Sequence, residues 1–421
     1  MPSRLAERIT EFLRHDQAGD ASVLQSFPSR EWKRALPWLD ASGLALYFLN
    51  RIEKLDGGGM LPAVVLTRLR QNREDNRART SAFLDEMRVI HQSFDANGVE
   101  FALLKGYSLV PEYCPAPELR HQCDLDYLIA EDNLHRASSI LHAIGYSRVR
   151  KAPGTYTFSR STGDLPSRDN IYKAGLNYSV EVHAALWENE DVPGLERLPG
   201  VLGRRQTHQL SGLVFPTLAP EDRFIHQCTH VLSHVLQFWI RLAWLYEIAT
   251  FLNQARTDVG FWRRVGSRIG GRVYIAKAVQ LVTLLATTVF AGEAPPIQGS
   301  DYPALRLWVN DYDRQWAMHD LPGSKLSLFL FPEFVDEEQW RRLRRQRLFP
   351  LRRSHSATQL SASEPRLSLG AQFAEFRYAG QRLAFHMRET WRYLREQPRW
   401  QQSLRAWQEK APYERLETVM R

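Results

Sequence analysis

The sequence contains few cysteines and no apolar signal segment. Cys114, Cys123 and Cys228 form no CxxC pair, and three cysteines cannot make an even disulfide framework. We therefore expect a reducing compartment, and a cytoplasmic protein. The first 16 residues are charged and amphipathic and have no apolar core, which argues against export.

Long hydrophobic runs are also absent. The most apolar stretch, 278–292, includes one glutamine and three threonines. It is shorter than the roughly 20 residues that a membrane-spanning helix needs. We predict a buried helix here and expect no transmembrane segment.

The excess of positive charge is confined to one end of the chain. The sequence has 55 basic and 47 acidic residues, a net charge of +8. Residues 336–421 hold 18 basic and 10 acidic residues, which leaves 37 of each sign in residues 1–335. The arginine-rich run at 341–353 suits a solvated helix face, or contact with nucleic acid or an anionic membrane surface.

Hydrophobic periodicity divides the chain into four regions. Apolar residues at helical spacing predict a helical N-terminal region at 1–98. Short apolar and alternating runs predict an α/β core of three to five strands and about two helices at 99–190. A helical region packing on the core follows at 191–335, and a basic, aromatic-rich helical region at 336–421 includes a polar linker near 354–368. The predicted fold class is α+β, a small mixed-sheet core with mostly helical regions on both sides.

A group of acidic residues is the main candidate for chemistry. Asp124 and Asp126 are two residues apart in a predicted strand, so both side chains leave the same face. Two close like charges are costly unless a cation neutralises them. Glu181 lies on a second predicted strand, with His183 on the same face. If the two strands are neighbours, the three carboxylates form a cluster suited to Mg²⁺, which binds hard oxygen ligands.

A candidate phosphate-binding segment follows the first predicted strand. Lys105 is one of only 8 lysines, against 47 arginines, and it precedes Gly106 and a predicted short helix. Glycine permits close backbone approach, and a helix N-terminus favours anions. Ser108 offers a hydroxyl, although capping the helix is its other role. Arg120 can pair with a phosphate through two nitrogens.

These residues resemble the uncharacterised nucleotidyltransferase family of the DNA polymerase beta-like superfamily. The matching features are Lys105-Gly106, Tyr113, Arg120, Asp124-x-Asp126, Gly145-Tyr146 and Glu181-x-His183. The resemblance covers about residues 99–190. It extends loosely to later helices that carry His230, His234, Arg241 and Glu247.

The resemblance implies transfer of a nucleotidyl group from an NTP, such as ATP, with Mg²⁺ or alternatively Mn²⁺. Such a site would hold two metal ions of the same kind. Asp124 and Asp126 would bind both ions, and Glu181 would be the third carboxylate. The acceptor would be a hydroxyl or amine on an unidentified small molecule, peptide or macromolecule. The chain departs from the superfamily pattern in having Lys-Gly-Tyr-Ser after the first strand and Glu as the third carboxylate.

Three histidines recur at every fourth residue of a later predicted helix, His226, His230 and His234. Such a row can bind zinc, but it lacks the glutamate of a metalloprotease helix. We favour buried or supporting roles for these histidines. In the superfamily, helices after the core pack beside the cleft, so His230 or His234 can also line it.

Two other functions fit parts of the pattern. Asp-x-Asp is also the metal motif of many sugar transferases that use nucleotide-sugars, although these need a larger parallel sheet. The second alternative is a non-catalytic module with a nucleotidyltransferase-like core, which binds RNA or membrane through its basic C-terminus.

Overall fold

The computed structural model describes most of the chain. The described residues are 4–16, 21–55, 57–152, 154–160, 171–174, 178–187, 195–295, 302–317, 324–349 and 369–419. The predicted linker at 354–368 lies outside them.

The N-terminal region is helical, as predicted. Its helices are α1 (Arg4–Phe12), α2 (Ser29–Ser42), α3 (Ala45–Lys54) and α4 (Ala63–Ala96). The last of these is 34 residues long and ends at Asn97 and Gly98. Its C-terminal half buries Phe83, Met87 and Phe94 against the sheet.

One mixed sheet of seven strands forms the centre of the molecule. The strands are β1 (Phe101–Leu104), β2 (Asp124–Ile129), β3 (Ser147–Ala152), β4 (Thr155–Arg160), β5 (Tyr178–His183), β6 (Gln206–Leu210) and β7 (Leu213–Thr217). Their order is β3-β4-β5-β2-β1-β7-β6. Strand β2 runs parallel to β5 and antiparallel to β1.

The sheet continues beyond residue 190, where we predicted the strands to end. Strand β7 pairs in parallel with β1, and β6 and β7 form a hairpin. Its turn is Ser211-Gly212, and both residues have positive φ. Such a dipeptide between alternating residues is a hairpin signal, which the surrounding helical patterns obscured.

Alternation along the strands separates the two faces of the sheet. Leu125 and Tyr127 of β2 pack into an apolar core with α4 and α5 (Leu134–Ala143). Asp124 and Asp126 leave the opposite face, beside the helices that follow the sheet. The acidic face is therefore enclosed between the sheet and the later helices.

Between the sheet and residue 317 the described helices are α6 (Pro220–Leu236), α7 (Leu242–Ala255), α8 (Val259–Ile269), α9 (Val273–Phe290) and α10 (Pro303–Ala317). By length and composition alone α9 could cross a membrane, and it is the one such helix among the residues described here. It packs against α6, α7 and α10, and more than half of it is buried. The predicted buried helix is confirmed.

The C-terminal region consists of α11 (Glu337–Leu348) and α12 (Leu369–Val419). The Ser324 hydroxyl donates to Oε2 of Glu389 over 2.9 Å, and Lys325 Nζ donates to Thr390 Oγ1 over 2.8 Å. These buried contacts attach α12 to the rest of the molecule. The predicted fold class, a mixed-sheet core between mostly helical regions, is confirmed.

Candidate active site

Strand pairing brings the predicted acidic residues together. In the parallel pair of β2 and β5, Asp126 lies opposite Glu181. On the other side of β2, Leu104 of β1 lies opposite Asp126. Lys105 follows Leu104 directly, so it emerges at the same end of the sheet. The strands that carry the acidic residues, β2 and β5, are therefore neighbours, as the predicted carboxylate cluster requires.

Asp126, Glu181 and His183 form a compact group of possible metal ligands. One ligand atom from each lies within 4.8 Å of the other two. His183 Nε2 is 3.2 Å from Asp126 Oδ1 and 3.5 Å from Glu181 Oε2. The hydroxyl of Thr155 is 3.2 Å from His183 Nδ1, and that of Thr157 donates to Glu181 Oε1 over 3.3 Å. Two threonines of β4 thus orient the histidine and the glutamate.

Lys105 places a positive charge beside these carboxylates. Its Nζ is 3.1 Å from Asp126 Oδ1. Burial by itself would lower the pKa of Lys105, but Asp126, Asp124 and Glu181 raise it above its usual value. The ammonium is therefore charged at neutral pH. The backbone of Lys105 has φ +48°, an uncommon conformation for a residue with a side chain.

The two aspartates have different electrostatic surroundings. Burial, followed by the negative charge of Asp126, raises the pKa of Asp124 to about 7. Burial also acts to raise the pKa of Asp126, but Lys105 and His183 hold it below its usual value. A bound cation would relieve the repulsion that raises the pKa of Asp124. The carboxylate oxygens fit a hard divalent cation such as Mg²⁺ or Mn²⁺, whereas the imidazole is a better ligand for a transition metal than for Mg²⁺.

Gly106 is needed for close packing in this structure. It has φ +55°, and a Cβ atom there would overlap the side-chain amide of Gln122. Gln122 Nε2 donates to the backbone oxygen of Asp124 over 2.6 Å. Gln122 therefore supports the start of β2, a role that sequence reasoning missed. The proposed contact between Gly106 and a nucleotide stays a prediction.

Ser108 lies in a single 3₁₀ turn, Gly106–Leu109, where we predicted a short helix. Its buried hydroxyl donates to the backbone oxygen of Lys105 over 2.7 Å. Arg223 Nη1 donates to the backbone oxygen of Ser108 over 2.6 Å. Ser108 thus holds the turn after Lys105, and its contact with a nucleotide stays a prediction.

Arg120 is paired within the protein. Its Nε donates to Glu247 Oε1 on α7 over 2.9 Å, and the Tyr47 hydroxyl donates to the same oxygen over 2.7 Å. Burial opposes the charge of Arg120, but Glu247 raises the pKa of the guanidinium above its usual value. A phosphate would have to contact Arg120 through its remaining nitrogens. No local sequence pattern indicates this pairing, because Tyr47 and Glu247 are far away along the chain.

A family model described as Uncharacterised nucleotidyltransferase matches residues 28–291. This is more than half of the chain. The chain belongs to this family. A search of curated proteins gives no match.

The nucleotidyltransferase match includes the whole sheet and helices α2 through α9, so it extends further than the resemblance at 99–190. It leaves out α1, α10, α11 and α12. The matched range contains five ionisable residues of the candidate site, which are Lys105, Asp124, Asp126, Glu181 and His183. The predicted family is confirmed, and membership indicates nucleotidyltransferase activity for the chain.

In this member of the family the histidine row of α6 is within electrostatic range of Lys105. Burial, followed by the charge of Lys105, lowers the pKa of His226 and His234 to about 3. The pKa of His230 is lowered by the same two causes. Among the described residues, only Asp126, Glu181 and His183 form a group of three possible metal ligands. The structure therefore places the row beside Lys105 without assembling a zinc site from it.

Proposed function

We propose that this protein is a Mg²⁺-dependent nucleotidyltransferase of the cytoplasm. It transfers a nucleoside monophosphate from an NTP, such as ATP, to a hydroxyl or amine. The observation that carries this proposal is the group of Asp126, Glu181 and His183, with Asp124 and Lys105 at the same end of the sheet. Family membership supports the reaction class.

The acidic residues have distinct roles in the proposed reaction. Asp124, Asp126 and Glu181 hold the cation, with His183 beside them. When bound, the cation neutralises charge on the triphosphate and on the leaving pyrophosphate. His183 keeps Asp126 ionised and in place through their 3.2 Å contact.

Lys105 and Glu181 act on the two substrates. The Lys105 ammonium is charged because the surrounding carboxylates raise its pKa, so it binds phosphate oxygens of the NTP. Glu181 is 31% exposed, whereas Asp126 is 4% exposed, so an acceptor reaches Glu181 first. Glu181 takes the proton of the acceptor as the acceptor atom bonds to the α-phosphorus. The bond from the α-phosphorus to the bridging oxygen breaks, and pyrophosphate leaves with that electron pair.

A double substitution tests this proposal. We expect Asp124→Asn with Asp126→Asn to weaken Mg²⁺-dependent NTP binding at least 100-fold. Two carboxylate ligands are lost, and a loss of about 1.4 kcal/mol for each is a tenfold loss of affinity for each. Isothermal titration calorimetry measures the binding. Asp132→Asn, at an exposed carboxylate in the turn after β2, is the matched control and should bind like the wild type.

Circular dichroism shows whether the variants are folded. If the double variant unfolds, Glu181→Gln provides the test, since it keeps the shape of the side chain and removes its charge. Unchanged NTP binding in a folded double variant would refute the metal assignment. Labelled NTP incubated with Mg²⁺ and a cell lysate would then show which acceptor becomes labelled.

Transfer from a nucleotide-sugar is less well supported. In the part of the chain that the structure describes, the sheet has two parallel pairs, β2 with β5 and β1 with β7, and its other pairs are antiparallel. This is not the large parallel sheet expected for that class, and the family is one of nucleotidyltransferases. Binding of a nucleotide-sugar without binding of any NTP in the same titration would favour sugar transfer.

Contact of residues 341–353 with nucleic acid or a membrane also stays a proposal. In α11, Arg344 lies over the ring of Tyr393 at 5.7 Å, and Arg347 lies over the ring of Phe238 at 5.7 Å. Part of the run thus packs against the protein, and residues 350–353 are outside the described structure. A non-catalytic module would bind such a partner without binding Mg²⁺ and NTP.

A further inference from the structure

Four aromatic rings cluster where α6 ends and α7 begins. The ring centroid of His234 is 4.1 Å from that of Trp239 and 4.6 Å from that of Trp244. His230 is 4.9 Å from Trp244, and the two tryptophans are 5.4 Å apart. All four side chains are half-buried. We call His230, His234, Trp239 and Trp244 the ring cluster.

The turn between α6 and α7 has a strained backbone, and contacts with other parts of the protein hold it in place. Phe238 has φ +69°, which is rare for a bulky residue and is found where the surrounding structure imposes it. Its buried ring packs beneath the guanidinium of Arg347. Arg241, at the end of the turn, contacts His121 Nδ1 through Nη2 at 3.1 Å. Since His121 precedes β2, the turn is connected to the strand that carries Asp124 and Asp126.

The ring cluster is connected to the acidic strand β2 through Arg241, which contacts both Nδ1 and the backbone oxygen of His121. Burial and then the positive charge of Lys105 lower the pKa of both His230 and His234. The same ammonium contacts Asp126 at 3.1 Å. Both imidazoles are thus neutral, and Nδ1 of His234 is buried with no hydrogen-bond partner among the described residues. The cluster offers flat neutral rings and one unused polar atom.

We propose that the ring cluster binds the nucleobase of the NTP. This inference rests on the proposed function, because it is Lys105 and the carboxylates that would hold the triphosphate. The nucleoside would then extend toward the neighbouring rings of α6 and α7. Every nucleobase has a π-face that stacks on aromatic side chains, and the half-buried rings of the cluster offer such side chains. An imidazolium would repel Lys105, so neutral histidines suit a position next to it.

The proposal is tested by comparing ligands that have a nucleobase with a ligand that has only the phosphate chain. Calorimetry with Mg²⁺ measures binding of tripolyphosphate and of the non-hydrolysable analogues of ATP, GTP, CTP and UTP. We expect the wild type to bind the best analogue more tightly than tripolyphosphate. Trp244→Ala should weaken binding of that analogue about tenfold and leave tripolyphosphate binding unchanged, whereas Trp244→Phe should retain most of the affinity. Trp407→Ala, at a half-buried tryptophan near the end of α12, is the matched control.

The outcomes distinguish this proposal from the proposed function. Equal loss of both ligands in Trp244→Ala, or no loss of either, would overturn nucleobase binding and leave the metal site standing. Absence of binding of both ligands to the wild type would overturn the nucleotidyltransferase proposal and nucleobase binding together.

An independent observation concerns the C-terminal helix, beyond the family match. Five large apolar side chains of α12 are 47–78% exposed, Phe376, Leu383, Met387, Trp391 and Leu394. Their spacings of seven, four, four and three residues place them on one strip of a helix. We call these five residues the apolar stripe. Contiguous exposed apolar side chains mark interaction sites.

The other side of α12 is already packed against the protein. The rings of Tyr393 and Trp400 lie 4.7 and 5.4 Å from that of Phe329. Ser324 and Lys325 hold Glu389 and Thr390. The apolar stripe is therefore a second face of the helix, separate from the one that attaches it.

Arginines border the apolar stripe. Arg388, Arg395 and Arg399 have side chains that are 67%, 59% and 67% exposed. Arg395 lies over the ring of Trp391 at 5.0 Å. Residues 336–421 carry the whole net charge of +8. A helix with tryptophan, phenylalanine and leucine beside arginines has the composition of helices that lie in the surface of anionic membranes.

We infer that the apolar stripe docks on an anionic lipid bilayer. The apolar side chains enter the boundary between headgroups and acyl chains, and the bordering arginines bind lipid phosphates. This contact is centred on α12, whereas the sequence pointed to 341–353. It does not depend on the catalytic activity.

Vesicle flotation of the full chain tests the docking. We expect binding to vesicles of phosphatidylcholine with phosphatidylglycerol, little binding to phosphatidylcholine alone, and weaker binding at high salt. Leu383→Glu with Met387→Glu should reduce the bound fraction at least tenfold. The matched control is Val64→Glu with Val89→Glu, which changes two exposed valines of α4.

Three results would overturn the docking. The first is that the wild type does not bind to anionic vesicles, and the second is that both double variants bind equally well. The third is that light scattering shows a dimer of the wild type and a monomer of the Leu383→Glu, Met387→Glu variant. The last result would assign the stripe to a second copy of the chain.

Discussion

Asp124 and Asp126 carry the same side chain on the same strand face, but their neighbours give them different properties. Asp126 lies between Lys105 and His183 and stays ionised. Asp124 has a pKa raised to about 7 by burial and by the charge of Asp126. Sequence alternation predicted their common face. Only the pairing of the strands shows that His183, rather than Asp124, completes the most compact group of possible ligands.

Gly106 allows a prediction at the residue scale. We expect Gly106→Ala to destabilise the fold by about 1–3 kcal/mol, the usual cost of a strained backbone conformation, plus the cost of displacing Gln122. Since Gln122 holds the backbone of Asp124, Mg²⁺ affinity should fall as well. Urea denaturation and calorimetry measure the two effects.

Gly98→Ala is the matched control for this prediction. Gly98 has φ +63°, but a Cβ atom there would meet nothing within 4 Å. This variant should lose stability from backbone strain alone and keep its Mg²⁺ affinity. Equal effects of the two substitutions on both measurements would contradict the role of Gln122.

At the scale of elements, local patterns predicted what each segment is, and long-range pairing decided where it lies. The parallel pair of β2 and β5 joins Asp126 to Glu181, which is 55 positions later in the sequence. Nothing local sets that register, because parallel strands need a long crossover connection. Strands β3 and β4 are separated by only two residues in the sequence, and they pair with each other in antiparallel orientation. The hairpin of β6 and β7 was missed between helical patterns.

The histidine row illustrates the same division. Spacing of four residues predicts that His226, His230 and His234 share one face of α6. That this face lies toward Lys105 depends on the packing of α6 against the sheet. Trp239 and Trp244 join the row only because the strained turn at Phe238 folds α7 back on α6.

At the scale of the whole molecule, buried histidines predict the response to acid. Burial is the first cause that lowers the pKa of His15 and His91 to about 4, and of His226 and His234 to about 3. An unfolded chain has histidines of pKa about 6.5. Between about pH 6.5 and 4 it binds protons that the folded chain does not, so the free energy of unfolding falls as the pH falls.

Asp124 acts in the opposite direction, because its raised pKa of about 7 stabilises the fold as the pH falls below 7. The histidines whose pKa burial lowers, His230 included, outnumber Asp124 and Asp311, the two aspartates whose pKa burial raises, so we expect a lower urea midpoint at pH 5 than at pH 7. His91→Gln should show a smaller decrease, since glutamine keeps a contact with the Tyr127 hydroxyl and takes up no proton. A higher midpoint at pH 5 would contradict this prediction.

The charge distribution also belongs to this scale. Residues 1–335 are neutral, so the site relies on local groups such as Lys105 for anions. The basic excess lies in the last 86 residues, where arginines border the apolar stripe of α12. The predicted division into four regions stays a prediction, although the sheet joins residues 101–217 in one layer.

The sequence by itself determined the family, the fold class, the identity of most helices and strands, and the common face of Asp124 and Asp126. These depend on composition, on periodicity and on short motifs, all of which are local. The tertiary structure decided that His183 joins Asp126 and Glu181, that Glu247 pairs with Arg120, and that Trp239 and Trp244 join two histidines of α6 in the ring cluster. Contacts between residues far apart in the chain depend on strand register and helix packing, which no local pattern specifies.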